Sequence, residues 1–296
     1  MGIIETKSQI INFFFKNTSI KWYILIIIVF LLIQYLIKRY KNNCDSTQNR
    51  YYQDIDEILP GINYYLYKPN QIRYIFWTGG YDSTFLLIQA LIVEGYPVQP
   101  IYIKCQNLDT KYSIDGRKNQ SQELNTMKKI RKVILDKYPY TKQSFLPTMY
   151  VYNIQKDKDI TYRYKMVHQK YKFFSRDITQ YERMARFSIH FNKNIEVGLE
   201  KCGTGLDEAT QKVRINEGSM NCRILDKKKL DNIGYKYLDI FRNLRFPIVH
   251  LSKNDMKIIA SEQKLYYILE LTWSCWYPNK DGTPCGICYQ CRERTI

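Results

Sequence analysis

The stretch from Arg73 to Gly95 carries the sharpest hydrophobic pattern in the chain. Tyr74 to Trp77 is an unbroken apolar and aromatic run, which suits a strand buried on both faces of a sheet. Thr78-Gly79-Gly80 ends it, and Asp82 or Ser83 can then cap an apolar helix predicted to reach Glu94 and stop at Gly95. After Tyr96-Pro97, Val98 to Ile103 reads as a second strand, so the three elements form a βαβ unit and begin a parallel sheet. A helix follows over 122–135, with Leu124, Met127, Ile130, Val133 and Ile134 roughly on one face. Thr148 to Asn153 is a third strand, and residues 154–172 are rich in Lys and Tyr without a clear period. Asp177 to Phe191 reads as a helix, Ile195 to Leu199 as a fourth strand and Phe246 to Leu251 as a fifth. Between the last two, 208–235 is the least legible part. Strands alternating with helices imply an α/β fold with a Rossmann-like parallel sheet of about five strands, flanked by helices.

The amino-terminal pattern is different. Trp22 to Ile37 is free of charge and interrupted only by Gln34, between Lys21 and Lys38. The run is slightly short of the roughly 17–25 residues of a bilayer span, but flanking lysines can snorkel and Trp22, Tyr23 and Tyr35 suit an interface. No small-residue cleavage site follows, which argues against a removable signal peptide. We therefore expect an amino-terminal transmembrane helix. Lys38-Arg39-Tyr40-Lys41 predicts that the remainder of the chain faces the cytoplasm. The expected organisation is a membrane anchor over 1–44, a polar, Tyr-rich linker over 45–71, a nucleotide- and substrate-binding domain over 72–271 and a tail over 272–296.

Composition changes this picture little. A net charge of +17 in 296 residues invites a nucleic-acid partner. The basic residues are nevertheless spread among Ile, Asn and Tyr, with no basic, aromatic-interleaved groove, so no nucleic-acid partner is expected. Four of the eight cysteines are scattered, at Cys44, Cys105, Cys202 and Cys222, and four cluster at the end. That distribution reads as metal binding rather than a secreted disulfide framework.

The cluster is Cys275, Cys285, Cys288 and Cys291. Two thiolates two residues apart can wrap one ion, and Gly286 frees the backbone between them. The loop with Pro278, Gly282 and Pro284 can return Cys275 as the fourth ligand. Four sulfurs suit tetrahedral zinc in a closed, structural site; an iron–sulfur cluster is the alternative. The expected role is to staple the tail.

The Gly-Gly turn carries the chemistry. A buried strand, two adjacent glycines and a helix start aim backbone N–H groups at one point, a geometry that holds an anion, most often phosphate. It is neither a Walker loop nor a dinucleotide fingerprint. Thr78-Gly79-Gly80-Tyr81-Asp82-Ser83 resembles the pyrophosphate loop of the PP-loop ATP pyrophosphatases, usually Ser-Gly-Gly-x-Asp-Ser, with Thr78 keeping the first hydroxyl.

A second signal narrows the resemblance. Thr272-Trp273-Ser274-Cys275, then Cys285-Gly286-Ile287-Cys288 and Cys291-Arg292, is similar to the carboxy-terminal signature of the 7-cyano-7-deazaguanine synthase family. Pro247 to Lys253 is similar to the segment the family places before it, and Gly198 and Asp207 match its strand-end Gly and following Asp. The resemblance covers about residues 72–296. It implies an adenine nucleotide α-hydrolase-like fold and an ATP-dependent ligase. In that reaction 7-carboxy-7-deazaguanine is activated as an acyl adenylate, and ammonia and a second ATP lead to the nitrile. It further implies Thr78, Gly79, Gly80, Tyr81, Asp82, Ser83 and Thr84 as the ATP-binding residues, with Ser83, Asp82 and Lys253 catalytic. Cys275, Cys285, Cys288 and Cys291 are implied as zinc ligands, with ATP, Mg2+ and Zn2+ as cofactors and a homodimer left open. The chain departs from the family at Arg176-Asp177, where an Arg-Asn pair is usual, and at Met220-Asn221-Cys222-Arg223, which lacks a Tyr-Pro start. Both segments belong to the part that would hold the deazapurine. Two rival functions remain: a PP-loop adenylating enzyme for another carboxylate, amide or tRNA nucleobase, and a non-catalytic, membrane-tethered nucleotide-binding module.

Overall fold

The computed structural model describes residues 67–104, 118–152, 154, 156–171, 178–203, 205–217 and 222–294, with 29, 31, 32 and 34. The chain divides into two units, Met1–Tyr51 and Tyr52–Ile296. In the first, Val29, Leu31, Leu32 and Gln34 are helical and exposed. The rest of the expected membrane segment at 22–37, and the expected linker up to residue 66, lie outside the described residues. Among the described residues no helix is long and apolar enough to cross a membrane.

The second unit is built on five parallel strands in the order β3-β2-β1-β4-β7. These are β1 (Arg73–Phe76), β2 (Val98–Ile103), β3 (Met149–Val151), β4 (Ile195–Val197) and β7 (Leu244–Arg245). A separate antiparallel hairpin joins β5 (Arg214–Asn216) to β6 (Arg223–Leu225). The helices needed here are α1 (Tyr81–Ile88), α2 (Gln120–Lys137), α3 (Lys158–Tyr171), α4 (Ile178–Phe191), α5 (Gly205–Gln211), α6 (Lys227–Leu230), α7 (Lys253–Glu262), α8 (Tyr266–Glu270) and α9 (Tyr289–Arg294).

Strand β1 is central, and its side chains alternate between the two faces, as a pleat requires. Ile75 and Trp77 point into a core shared with Leu86 and Leu87 of α1, Met127 and Ile130 of α2 and Ile268 of α8. Tyr74 and Phe76 face the other way and meet Phe191 and Phe187 of α4 edge-on, at 5.8 and 6.0 Å between ring centres. Both faces are therefore covered, and after Arg73 the strand carries only apolar and aromatic residues because it has no solvent side.

Three segments depart from the sequence reading. The fifth strand is only Leu244–Arg245; Phe246 makes an isolated antiparallel bridge to Arg223, and residues 247–250 turn instead. Pro247 has no N–H to give a ladder, and Ile248 and Val249 are buried in that turn rather than in a strand. Residues 158–171 are helical, on a narrow stripe of Ile160, Tyr164 and Val167. The illegible 208–235 holds the end of α5, the hairpin and α6.

At the amino-terminal edge of the sheet, Arg73 of β1 makes a two-pronged pair with Glu196 of β4, both contacts at 2.7 Å, and also bonds Glu94. Arg245 of β7 pairs in the same way with Glu217, the residue that follows β5 in the hairpin. Burial pushes the Glu196 carboxyl upward, against the opposing pull of Arg73.

Candidate active site

The chain leaves β1 towards β2 and β3 on one side and later returns to β4 and β7 on the other. Such a reversal opens a crevice at the carboxyl ends of the two strands, where ligands bind in open α/β sheets. Here a cleft lies at that point, with Phe76 from the end of β1 and Val197 and Gly198 from the end of β4 in its wall. Thr78, Gly80, Tyr81, Asp82 and Ser83 form its floor.

Sequence alone explains the floor. Gly79 turns the chain with a φ of 71°, in the region that favours glycine. Gly80 is then the N-cap of α1 and supplies no side-chain cap. Thr84 N–H donates to the Gly80 carbonyl at 3.0 Å, so the ladder starts only there. Among the described residues, the N–H groups of Gly80, Asp82 and Ser83 have no acceptor. An uncapped first turn with free amides and the positive end of the helix dipole is an anion site. The Ser83 hydroxyl contacts the Gly80 carbonyl at 3.3 Å and the Thr78 N–H at 3.4 Å, which keeps it over the turn.

Two of the residues expected to bind nucleotide do other work. Thr84 is fully buried, and its hydroxyl accepts from the Trp77 indole at 3.0 Å; it points into the core because it lies one position past the open turn. Gly79 is also buried and lies against Met127 and Thr126, while its carbonyl accepts from the Trp273 N–H at 3.0 Å. Its part is to shape the loop.

Asp82 is the electrostatic centre. Its Oδ1 is buried with no hydrogen-bond partner. Burial first, and the charge of Glu200 second, push its carboxyl up to about 7, against the pull of Lys253. Lys253, expected from sequence to belong to the site, does line the cleft. It begins α7 and pairs with Glu200 at 3.3 Å. The turn before it is held by a capping box, with Asp255 N–H donating to Ser252 Oγ and Ser252 N–H to Asp255. Once ionised, a carboxylate oxygen without a donor fits a divalent cation.

The tail closes the cleft. Cys275, Cys285, Cys288 and Cys291 bring their sulfurs within 4.8 Å of one another. Cys285 and Cys291 stand 3.9 Å apart, too far for a disulfide and close to the roughly 3.8 Å between sulfurs of a tetrahedral site with metal–sulfur bonds of about 2.3 Å. The Cys285 N–H points at Cys275 Sγ and the Cys288 N–H at Cys285 Sγ, at 3.3 and 3.4 Å. Donors aimed at sulfur favour thiolate, so the four residues fit zinc. From this tail Trp273, Ser274, Trp276 and Gln290 face the cleft.

Residues 231–296 match the family model described as "Queuosine biosynthesis protein QueC". The match supports the resemblance to the 7-cyano-7-deazaguanine synthase family. The matched stretch carries Lys253 and all four cysteines, and the phosphate loop lies outside it. No curated protein matches the chain.

Several cleft residues escaped the sequence reading. Glu123 sits on α2 among apolar positions and accepts from Tyr102 at 2.6 Å and Asn119 at 3.1 Å; a carboxylate on an apolar stripe was the available signal. Glu200, two residues past the strand-end Gly198, does not line the cleft but pairs with Lys253 and acts on Asp82, and no sequence signal pointed to it. Gln180 and Tyr181 of α4 also line the cleft. Of the segments that depart from the family pattern, Arg176-Asp177 and Met220-Asn221 lie outside the described residues. Cys222 lies near Glu196, Glu217 and Arg245 at the amino-terminal edge and is not among the residues lining the cleft. Asp207 accepts from the N–H groups of Cys202 and Gly203 at 3.0 and 2.7 Å and from Arg214 at 2.6 Å, so it orders the loop after β4.

Proposed function

We propose that this chain is an ATP-dependent ligase that converts 7-carboxy-7-deazaguanine and ammonia to 7-cyano-7-deazaguanine through an acyl adenylate, in queuosine biosynthesis. The observation that carries this reading is the open first turn of α1 at the β1/β4 crevice, with Lys253 and the four-cysteine tail on its rim. The acceptor carboxylate attacks the α-phosphorus and pyrophosphate leaves. Charge then grows on the departing oxygens, where fixed backbone donors and the Ser83 hydroxyl stabilise it without reorganising. Lys253 adds a positive charge on the same side. Magnesium would neutralise phosphate charge, with the donor-less Asp82 oxygen as its protein partner. Zinc would hold the tail closed. The uncharged run over 22–37, between Lys21 and Lys38, is what supports a membrane anchor in this reading.

The test is pyrophosphate release from ATP by the full chain with magnesium and ammonium, with and without 7-carboxy-7-deazaguanine, and mass analysis of the product. Release that depends on the deazaguanine, with a nitrile formed, is the expected result. Ser83→Ala should lower that turnover roughly 100-fold, as loss of one oxyanion donor does, and weaken ATP binding far less. A non-catalytic binder would show ATP binding and no release in either protein.

A further inference from the structure

The tail does more than end the chain. Its Trp273 N–H is bonded to Gly79 of the phosphate loop, so the tail starts against the loop that would hold the phosphates. Three residues on, Trp276 faces the cleft and stacks on Tyr289, with 6.3 Å between ring centres and 28° between planes. Trp276 follows Cys275 and Tyr289 follows Cys288, so the sulfur cluster fixes both backbones. Gln290, next in sequence, also faces the cleft, as does Gln180 from α4. Among the described residues, neither glutamine amide has a hydrogen-bond partner, and both are half-buried. Half-buried amides on a cleft wall, without a protein partner, are open to pair with water or with a ligand that displaces it.

We propose that the tail is the acceptor-reading wall of the site. Trp276, backed by Tyr289, offers a face to a planar heterobicycle, and the amides of Gln290 and Gln180 read its lactam edge. An amide presents one acceptor and two donors side by side, which complements a ring carbonyl next to a ring N–H. The aromatic face suits an uncharged, flat ring, and stacking of this kind tolerates any substituent outside the ring plane's contact area. The four cysteines thus set acceptor affinity by placing Trp276 and Gln290, while the amides of α1 serve the nucleotide. This deepens the proposed function and rests on it for the choice of deazapurine.

The experiment measures equilibrium binding of two probes, 7-carboxy-7-deazaguanine and guanine, to the zinc-loaded full chain by calorimetry, with ATP affinity measured in parallel. Trp276→Ala should weaken both ring probes by about 5- to 100-fold, the range of aromatic stacking on a base, and change ATP affinity less than about twofold. Trp276→Phe should restore most of that loss, and Gln290→Ala should weaken both probes with Trp276 in place. Zinc content, measured on each variant, shows whether the tail is intact; if Trp276→Ala loses zinc, Trp276→Phe and Gln290→Ala decide. Wild-type protein that binds neither ring, or variants that bind both as wild type does, would overturn the proposal. Ring binding that follows these variants without deazaguanine-dependent pyrophosphate release would uphold the wall and refute the ligase reading.

Discussion

Gly198 and Ser83 approach each other more closely than a side chain would permit. A methyl group on Gly198 would stand 2.6 Å from the Ser83 nitrogen and 2.7 Å from its Cα. The end of β4 is thus pressed against the first turn of α1, backbone to backbone, and no flexible side chain can move aside. Gly198 has no need of a left-handed conformation; its reason for being glycine is the contact.

Gly198→Ala should therefore displace the phosphate loop. Overpacking of this kind costs about 1–3 kcal/mol. We expect a lower thermal midpoint and at least about a tenfold loss of ATP affinity, read by calorimetry. Gly95→Ala makes the contrast: nothing lies within 4 Å of its Cβ position, although its φ of 72° strains an alanine. It should destabilise the protein without touching ATP binding in the folded fraction.

The Arg73–Glu196 pair makes a separate prediction about stability. Both side chains are about nine-tenths buried, at 13% and 10% exposure. Removing one partner of a buried pair leaves an uncompensated charge and costs about 3–5 kcal/mol. Arg73→Met strands the Glu196 carboxylate and should lose stability on that scale in denaturant titrations, whereas Glu196→Ala leaves Arg73 paired with Glu94 and should lose less. The double change Arg73→Met with Glu196→Met should cost much less than the sum of the single changes, because no charge is stranded. The pair lies at the amino-terminal edge of the sheet, so ATP affinity of the folded protein should hold.

The sequence made β1, the Gly-Gly turn and α1 legible because burial on both faces leaves a continuous apolar run, and only glycine permits the turn at Gly79. The cysteine cluster was legible because metal ligation fixes residue type as well as spacing. Helix α3 was hidden because its buried stripe is one residue wide per turn, at Ile160, Tyr164 and Val167. Phe246 to Leu251 misled for the opposite reason: its apolar residues are buried by a turn, and periodicity does not distinguish the two. Thr84 was misassigned because its neighbour Ser83 faces the cleft, and a helix rotates the next residue into the core. Gln180 and Gln290 reach the cleft, and Glu200 reaches Lys253 beside it, only through tertiary packing, which no local pattern encodes.

Zinc removal should unfold one end of the protein first. Metal binding and folding are coupled where four thiolates hold a tail, while the sheet core draws on Trp77, Phe85 and their neighbours. Chelation, or Cys288→Ser, should expose residues 272–294 to protease and shift tryptophan fluorescence, since Trp273 and Trp276 both lie there. The far-ultraviolet dichroism of the α/β core should change little. Global unfolding on chelation would show instead that the tail is part of the main cooperative unit.

Asp82 gives the pH dependence. Its carboxyl is raised to about 7 in the folded protein, by burial first and by Glu200 second, against an ordinary value of about 3.9 when unfolded. Between those values the native state holds more protons than the unfolded state, so stability falls as pH rises from about 4 to about 7 and is flat above. Below the unfolded value the group is neutral in both states. Asp82→Asn removes the buried charge, so it should raise the thermal midpoint of the ligand-free protein at pH 8 and do little at pH 4, below which the group is neutral in both states. A rise from about 3.9 to about 7, at roughly 1.4 kcal/mol per pH unit, sets an upper bound of about 4 kcal/mol on the gain, at about 2–4 °C per kcal/mol for a domain of this size. The same change removes a carboxylate oxygen that suits magnesium, so it should also weaken magnesium-dependent ATP binding. A variant that gains stability at pH 8 while losing magnesium dependence would show that the strain at Asp82 is kept for the ligand. Equal effects at pH 4 and pH 8 would assign the change to packing, with no role for the charge.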